Sequence, residues 1–285
     1  MAGVFHSTLI DGETARSRLA DPDWVFVDCR FDIRATQRGL ADYRDSHIQD
    51  AVYADLDKDL SGPIVPGRTG RHPLPDRKSI VRTFSRWGIG PRTQVVVYDE
   101  SSGAMAAARL WWLLKWAGHE AVAVLEGGFK AWTAAGLPCA SGTESRSPAR
   151  FVAAFRPDLA VDAGKVLSVL DDPAWAVLDA RTAERYRGEN ETLDPVAGHI
   201  AGAVSAPYGA ALREDGMFKP AAEIARTFEF ATRKREAEHT IVYCGSGVTA
   251  AHAVLACEHA GRGMPRLYAG SWSEWITDAS RPTER

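Results

Sequence analysis

Along the chain, short apolar runs alternate with longer stretches of helical character. In the first half WVFVD (24–28), VVVYD (95–99) and AVAVLEG (121–127) are rich in Val and lack strict alternation, the pattern of strands buried on both faces. AMAAARLWWLLKWAG (104–118), between the last two, has the length and composition of a core helix. The second half repeats the scheme with WAVLD (175–179), TIVYC (240–244) and PRLYAG (265–270) as strands, and VTAAHAVLAC (248–257) as the start of a helix. Strand, helix, strand in this order predicts an α/β fold whose mostly parallel sheets are flanked by helices. Ligands of such sheets bind beyond the carboxyl ends of the strands. Cys244 stands at one of those ends.

The halves are copies. FVDCR (26–30) recurs as VLDAR (177–181), and SHIQDAVYA (46–54) as GHIAGAVSA (198–206). VVVYDESSGAMAAARL (95–110) recurs as TIVYCGSGVTAAHAVL (240–255), and LEGGFKAW (125–132) as LYAGSWSEW (267–275). Four patterns in one order at nearly constant separation predict a tandem pair of one domain, not a solenoid of short repeats. LPCASGTESRSPAR (137–150) is rich in Ser, Gly and Pro, as an exposed connector would be. The expected division is a first domain over 1–140, a linker over 141–150 and a second domain over 151–285. Aligned on Tyr98 and Tyr243, Asp99 fills the position of Cys244 in the first copy, so only the second copy carries the thiol.

Composition narrows the function. The 285 residues hold 34 basic and 37 acidic side chains, a net charge of −3 that leaves no footprint for nucleic acid or an anionic membrane. The first twenty residues lack the basic flank and apolar core of a leader, and no apolar run nears the ~20 residues that span a bilayer. Four scattered cysteines without a CxxC pair speak against a disulfide framework and a zinc site. A reducing, cytoplasmic setting is expected, with no metal or cofactor. Cys29, Cys139 and Cys257 read as core residues, since free cysteine is among the most buried residue types.

Cys244 reads differently because of its loop. A thiol reacts as thiolate, and positive potential around the sulfur favours that form. Gly245 and Gly247 let the chain curl so that successive backbone N–H groups point inward at the sulfur as an anion-binding nest. The following helix adds the positive end of its dipole. A phosphatase would use a similar loop, but needs Arg six positions after its cysteine; Ala250 stands there, and no basic residue lies between 244 and 251. Phosphoryl transfer is therefore disfavoured.

CGSGVTA (244–250), the paired DAR and GHIAGAV patterns, the GSWSEW ending and the duplication resemble the rhodanese sulfurtransferases, most closely their 3-mercaptopyruvate branch. The resemblance covers nearly the whole chain. It implies two tandem rhodanese-like domains, the second of them catalytic. It also implies that Cys244 takes sulfur from a small-molecule donor as a persulfide and passes it to a thiol acceptor, such as a thioredoxin-like protein, or to cyanide. Without basic residues in the loop, monoanionic mercaptopyruvate is the expected donor. Thiosulfate:cyanide transfer, or a carrier module delivering persulfide to one partner protein, are the alternatives. The resemblance further implies that Arg185 binds the donor carboxylate, and that Ser246 works with His72 and Asp57 of the first domain, which would wall the cleft. Gly245, Gly247, Val248 and Thr249 complete the expected donor site. The branch carries a second arginine shortly before its GHI; ENETLDPVAGHI (189–200) has Asp194 near that place. Arg187, Arg68 or Arg71 are the available substitutes. Arg181, His47 and His199 have matching residues in both halves or match each other, and so read as structural. RLWWLLKW (109–116) reads as core and domain interface.

Overall fold

The computed structural model describes residues 5–285; the first four residues of the segment read above as lacking a leader lie outside them. The described residues fall into two compact units: those up to 61 with 75–156, and 62–74 with 157–285. This division differs from a simple halving in two ways. Residues 141–150, expected as a connector, belong to the first unit: Gly142 N–H donates to Arg44 O (2.8 Å), Glu144 N–H to Tyr43 Oη (2.9 Å) and Ala149 N–H to Ser85 O (2.9 Å). The loop 62–74, early in the sequence, folds with the second unit.

The first unit is built on β1 (Leu9–Ile10), β2 (Trp24–Asp28), β3 (Val52–Tyr53), β4 (Gln94–Tyr98) and β5 (Val122–Leu125), all parallel, in the order β1-β5-β4-β2-β3. The second unit has β6 (Ala160–Val161), β7 (Ala176–Asp179), β8 (Val204–Ser205), β9 (Thr240–Tyr243) and β10 (Arg266–Tyr268), parallel in the order β8-β7-β9-β10-β6. Read from the opposite edge, the second order is that of the first. The copies thus share topology as well as sequence. Each also closes a small antiparallel ribbon, His47–Ile48 with Cys139–Ala140 and His199–Ile200 with Thr283–Glu284.

The Val-rich central strands are buried on both faces, as a sheet covered by helices requires. Helix α1 (Ala106–Trp116) is buried along its full length; its counterpart α2 (Thr249–His259) is buried from Ala250 to Cys257. Helices apolar all round are core helices. Register does the rest: Asp28 pairs with Tyr98 and Asp179 with Tyr243, so the turn after each strand leaves the sheet at one level. The two copies then lock that level identically. Tyr98 Oη accepts from Ile48 N–H and Tyr243 Oη from Ile200 N–H, both at 3.0 Å. Arg30 and Arg181 each fork onto the aspartate two residues back and donate to a backbone carbonyl, of Ser46 and of Gly198. His47 and His199 each bond a backbone carbonyl through Nδ1. Among the described residues no helix is long and apolar enough to cross a membrane.

Candidate active site

Cys244 directly follows β9 and is 2% exposed. Its N–H donates to Ser271 Oγ (3.0 Å) and its carbonyl accepts from Trp272 N–H (3.0 Å), while Gly245 O accepts from Ser273 N–H (3.0 Å). The loop is thereby pinned to the short helix Ser271–Trp275. Ser271 holds a positive φ of 55° where the first unit has Gly128 at 60°. A non-glycine residue there costs roughly 1–3 kcal/mol and persists only where its surroundings hold it. Here its hydroxyl bridges Cys244 N–H and Tyr268 O (2.9 Å). Gly247 has φ 76°, and a Cβ there would lie 2.4 Å from Ala269 O, so only glycine fits. In that conformation its N–H donates to Cys244 Sγ at 3.2 Å. Val248, buried, is the N-cap of α2, and Thr249 is its first residue. The sulfur therefore has one amide bonded to it and the positive end of an 11-residue helix behind it.

The other cysteines divide. Burial pushes the Cys29 thiol well up and that of Cys257 up to about 12, as inert core thiols. Cys139, expected in the core, is exposed: it lies in the edge ribbon with Ile48, at the end of the chain's first copy.

Ser246 and His72 are both buried, and Ser246 Oγ lies 2.8 Å from His72 Nδ1, the donor being set by the imidazole tautomer. His72 belongs to the second unit, not to the first as its sequence position suggested. The loop that carries it approaches the Ser271–Trp275 helix so closely that a Cβ on Gly70 would sit 2.5 Å from Gly270 O; Arg71 N–H donates to Ser273 Oγ (3.1 Å). Asp57 stands in the first unit on an exposed turn, its N–H donating to the Asp55 carboxylate (3.0 Å); burial, then the Asp55 charge, raise its own carboxyl.

Arg185 lies in the turn of helix Ala183–Tyr186, capped by Thr182. Its Nε and Nη2 fork onto Glu191 (2.9 and 3.0 Å), and Nη2 also reaches Asp194 Oδ2 (2.9 Å). The other Asp194 oxygen takes Arg71 Nη1. Glu191 is almost wholly buried; burial alone would raise its carboxyl, but Arg185 and the amides of Leu193 and Asp194 outweigh that and hold it below the ordinary value. The space a side chain at Gly245 would fill is bounded by Arg71 Nη2 at 2.9 Å and by Arg185 Nη1 and Nη2 at 3.4 and 3.5 Å. Cations absent from the loop itself are thus brought to it from outside. Of the three suggested substitutes, Arg68 is exposed and Arg187 pairs with Glu189 at the surface; Arg71 alone is beside Gly245. Glu191 gave no signal in the sequence beyond its charge.

A glycine-curled loop with a buried thiol at a strand end, present once in two copies of one α/β unit, defines a class, and the comparisons agree with it. The rhodanese-like domain family matches residues 11–135 and again 162–278, and the chain belongs to that family. It is 45% identical over 275 residues to a protein of Pseudomonas aeruginosa named "Probable 3-mercaptopyruvate sulfurtransferase", covering 96% of each chain. It is 31% identical over 278 residues to the thiosulfate sulfurtransferase of Rattus norvegicus, covering 95% of this chain and 91% of that one. The crystal structure of SseA from Escherichia coli, a 3-mercaptopyruvate sulfotransferase by its description, superposes with a TM-score of 0.81 at 30% identity, covering 94% of this chain and all of the other.

Proposed function

We propose that this chain is a sulfurtransferase that takes sulfur from 3-mercaptopyruvate through a persulfide on Cys244. The observation carrying this reading is the Cys244 sulfur held by Gly247 N–H at the head of α2, with two guanidiniums at the adjacent Gly245. The Cys244 thiolate attacks the donor's sulfur; the carbon–sulfur bond breaks, and its electron pair leaves as the enolate of pyruvate. The proton from the transferred sulfur passes through Ser246 and His72 to the enolate carbon, which gives pyruvate and the persulfide anion. A thiol acceptor, or cyanide in an assay, then attacks the outer sulfur and returns Cys244 to thiolate. Arg185 binds the donor carboxylate, and the amides of residues 245–249 hold the persulfide anion. The resemblance implies that Asp57 also takes part in catalysis. A cytoplasmic setting and a dithiol acceptor protein complete the reading.

Thiosulfate is the second reading, favoured by the guanidiniums of Arg71 and Arg185 beside a loop that has no cation of its own. Parallel kcat/KM measurements with the two donors decide between them, and mercaptopyruvate is expected to be the better. Cys244→Ser should abolish transfer from both. Intact mass after donor treatment should show one added sulfur atom, lost on adding dithiothreitol and absent in Cys244→Ser. Cys139→Ser, which removes the exposed thiol, should keep full activity. An added sulfur that survives in Cys244→Ser sinks the assignment.

A further inference from the structure

Arg71, Arg181 and Arg185 form a network with Asp179, Glu191 and Asp194, three guanidiniums against three carboxylates. Within it Asp194 has a particular place. One of its oxygens takes Arg71 Nη1 and the other Arg185 Nη2, while its side chain is only 1% exposed. Two like charges so close would repel, and the carboxylate between them cancels that repulsion. Tied from behind in this way, both arginines turn their remaining nitrogens toward Gly245: Arg71 Nη2 and Arg185 Nη1 bound the space over its Cα and bond none of the network's carboxylates. Arg71 Nε is also buried without a hydrogen-bond partner. Leaving a buried donor unbonded is unfavourable, and an arriving acceptor would remove that penalty.

We infer that Arg71 is the second arginine of the donor-carboxylate clamp, taking one carboxylate oxygen while Arg185 takes the other, and that Asp194 is the brace that aligns them. The inference deepens the mercaptopyruvate reading and rests on it. The Nε–Nη2 edge of Arg185 is committed to Glu191, so Arg185 cannot offer that edge to the donor. One nitrogen from each guanidinium replaces the usual fork from a single arginine. The brace also sets specificity. Because the network is charge-balanced, a monoanion gains directed hydrogen bonds without needing a counter-charge, whereas a dianion finds no excess of positive charge to neutralise it.

The test compares Arg71→Gln, Arg71→Lys and Asp194→Asn with the wild type, using mercaptopyruvate and thiosulfate as donors and pyruvate as a competitive inhibitor. Arg71→Gln should raise KM for mercaptopyruvate roughly 10- to 100-fold and weaken pyruvate inhibition by a similar factor, with kcat within about threefold. Arg71→Lys keeps the charge without the directed nitrogen, and its KM should fall between the two. Asp194→Asn should lower kcat/KM for mercaptopyruvate and leave that for thiosulfate equal or higher, shifting the donor ratio about tenfold. Unfolding temperatures of all three variants show whether any has lost its fold; a folded Arg71→Lys variant alone suffices for the KM test. A wild type that takes no sulfur from mercaptopyruvate overturns the functional reading, and the clamp with it. A wild type that does, beside an Arg71→Gln whose KM and pyruvate inhibition are unchanged, overturns the clamp alone. Equal losses with both donors in Asp194→Asn overturn the brace.

Discussion

In the proposed mechanism Ser246 and His72 divide the two donors at the level of single residues, because the leaving groups differ in what they need. Pyruvate enolate must be protonated, whereas sulfite departs as a stable anion. A buried hydroxyl 2.8 Å from a buried imidazole has the geometry the proposed proton path requires, and general acid–base catalysis is worth roughly 10²–10⁴ in rate. His72→Ala and Ser246→Ala should each lower kcat with mercaptopyruvate by about a hundredfold and change it with thiosulfate by less than about threefold. The double variant should cost little more than either single one, since the two act as a unit. Asp57→Asn, combined with His72→Ala in the same cycle, tests whether the aspartate joins that unit. Losses of the same size with both donors would mean that the pair holds the loop in shape and moves no proton. Arg71 stands apart from these residues in how it was to be found. Ser246 is adjacent to the cysteine and within the motif, while Arg71 is one of several arginines in a polar stretch. Only the close packing at Gly70, which no linear pattern reports, brings it to the loop.

The strand-to-helix loop 244–249 is where element geometry becomes chemistry, and its two glycines do different jobs. Gly247 needs its positive φ and has a backbone oxygen against its Cα, so Gly247→Ala faces roughly 1–2 kcal/mol of backbone strain plus a clash that must move Ala269. Total destabilisation of at least about 2 kcal/mol is expected in urea unfolding, with loss of sulfur uptake, because the amide that meets Cys244 moves with it. Gly245 has no such φ, and the atoms nearest a methyl there would be the ends of two arginine side chains, not backbone. Gly245→Ala should therefore cost less than about 1 kcal/mol of stability while raising KM for mercaptopyruvate. A larger stability loss for Gly245→Ala than for Gly247→Ala would contradict this division. The long elements were legible in advance: Val-rich runs mark the central strands, and the Ala, Leu and Trp content marks α1. The two-residue strands β1, β3, β6 and β8 were not, since two residues carry no periodicity and their pairing is decided by neighbours distant in sequence. The same reason explains Cys139, apolar by type but placed on an exposed edge ribbon, and the loop 62–74, whose allegiance to the second unit comes from contacts and not from composition.

At the scale of the whole chain, duplication supplies a control within one molecule, because each unit places a loop between the corresponding strand and helix, residues 99–105 in the first and 244–248 in the second, and fills it differently. In the first unit the Asp99 carboxylate accepts from four amides, those of Ser101 and Gly103 on one oxygen and of Met105 and Ala107 on the other, at 3.0–3.3 Å. There the amides are taken up by the protein's own carboxylate, whereas in the second unit the Cys244 sulfur takes one such bond, from Gly247 N–H. Asp99 is 1% exposed, and its burial outweighs the four amides, raising its carboxyl from 3.8 to about 6. The folded state consequently binds a proton there more tightly than the unfolded chain does. That contribution to stability is fully present below about pH 4 and is lost as pH rises through about 6. A shift of about 2 units corresponds to about 3 kcal/mol. Asp99→Asn cannot titrate, and its amide nitrogen would face two backbone donors, an offset that does not vary with pH. Urea unfolding of the wild type and of Asp99→Asn, measured from pH 4 to pH 7, should give a stability difference that moves against the wild type by about 2.4 kcal/mol over that range. Opposing carboxylates elsewhere, such as Asp11 and Glu191, held low by their partners, are common to both proteins and cancel in the difference. A flat difference would mean that Asp99 stays ionised throughout, with the four amides stronger than the burial that opposes them.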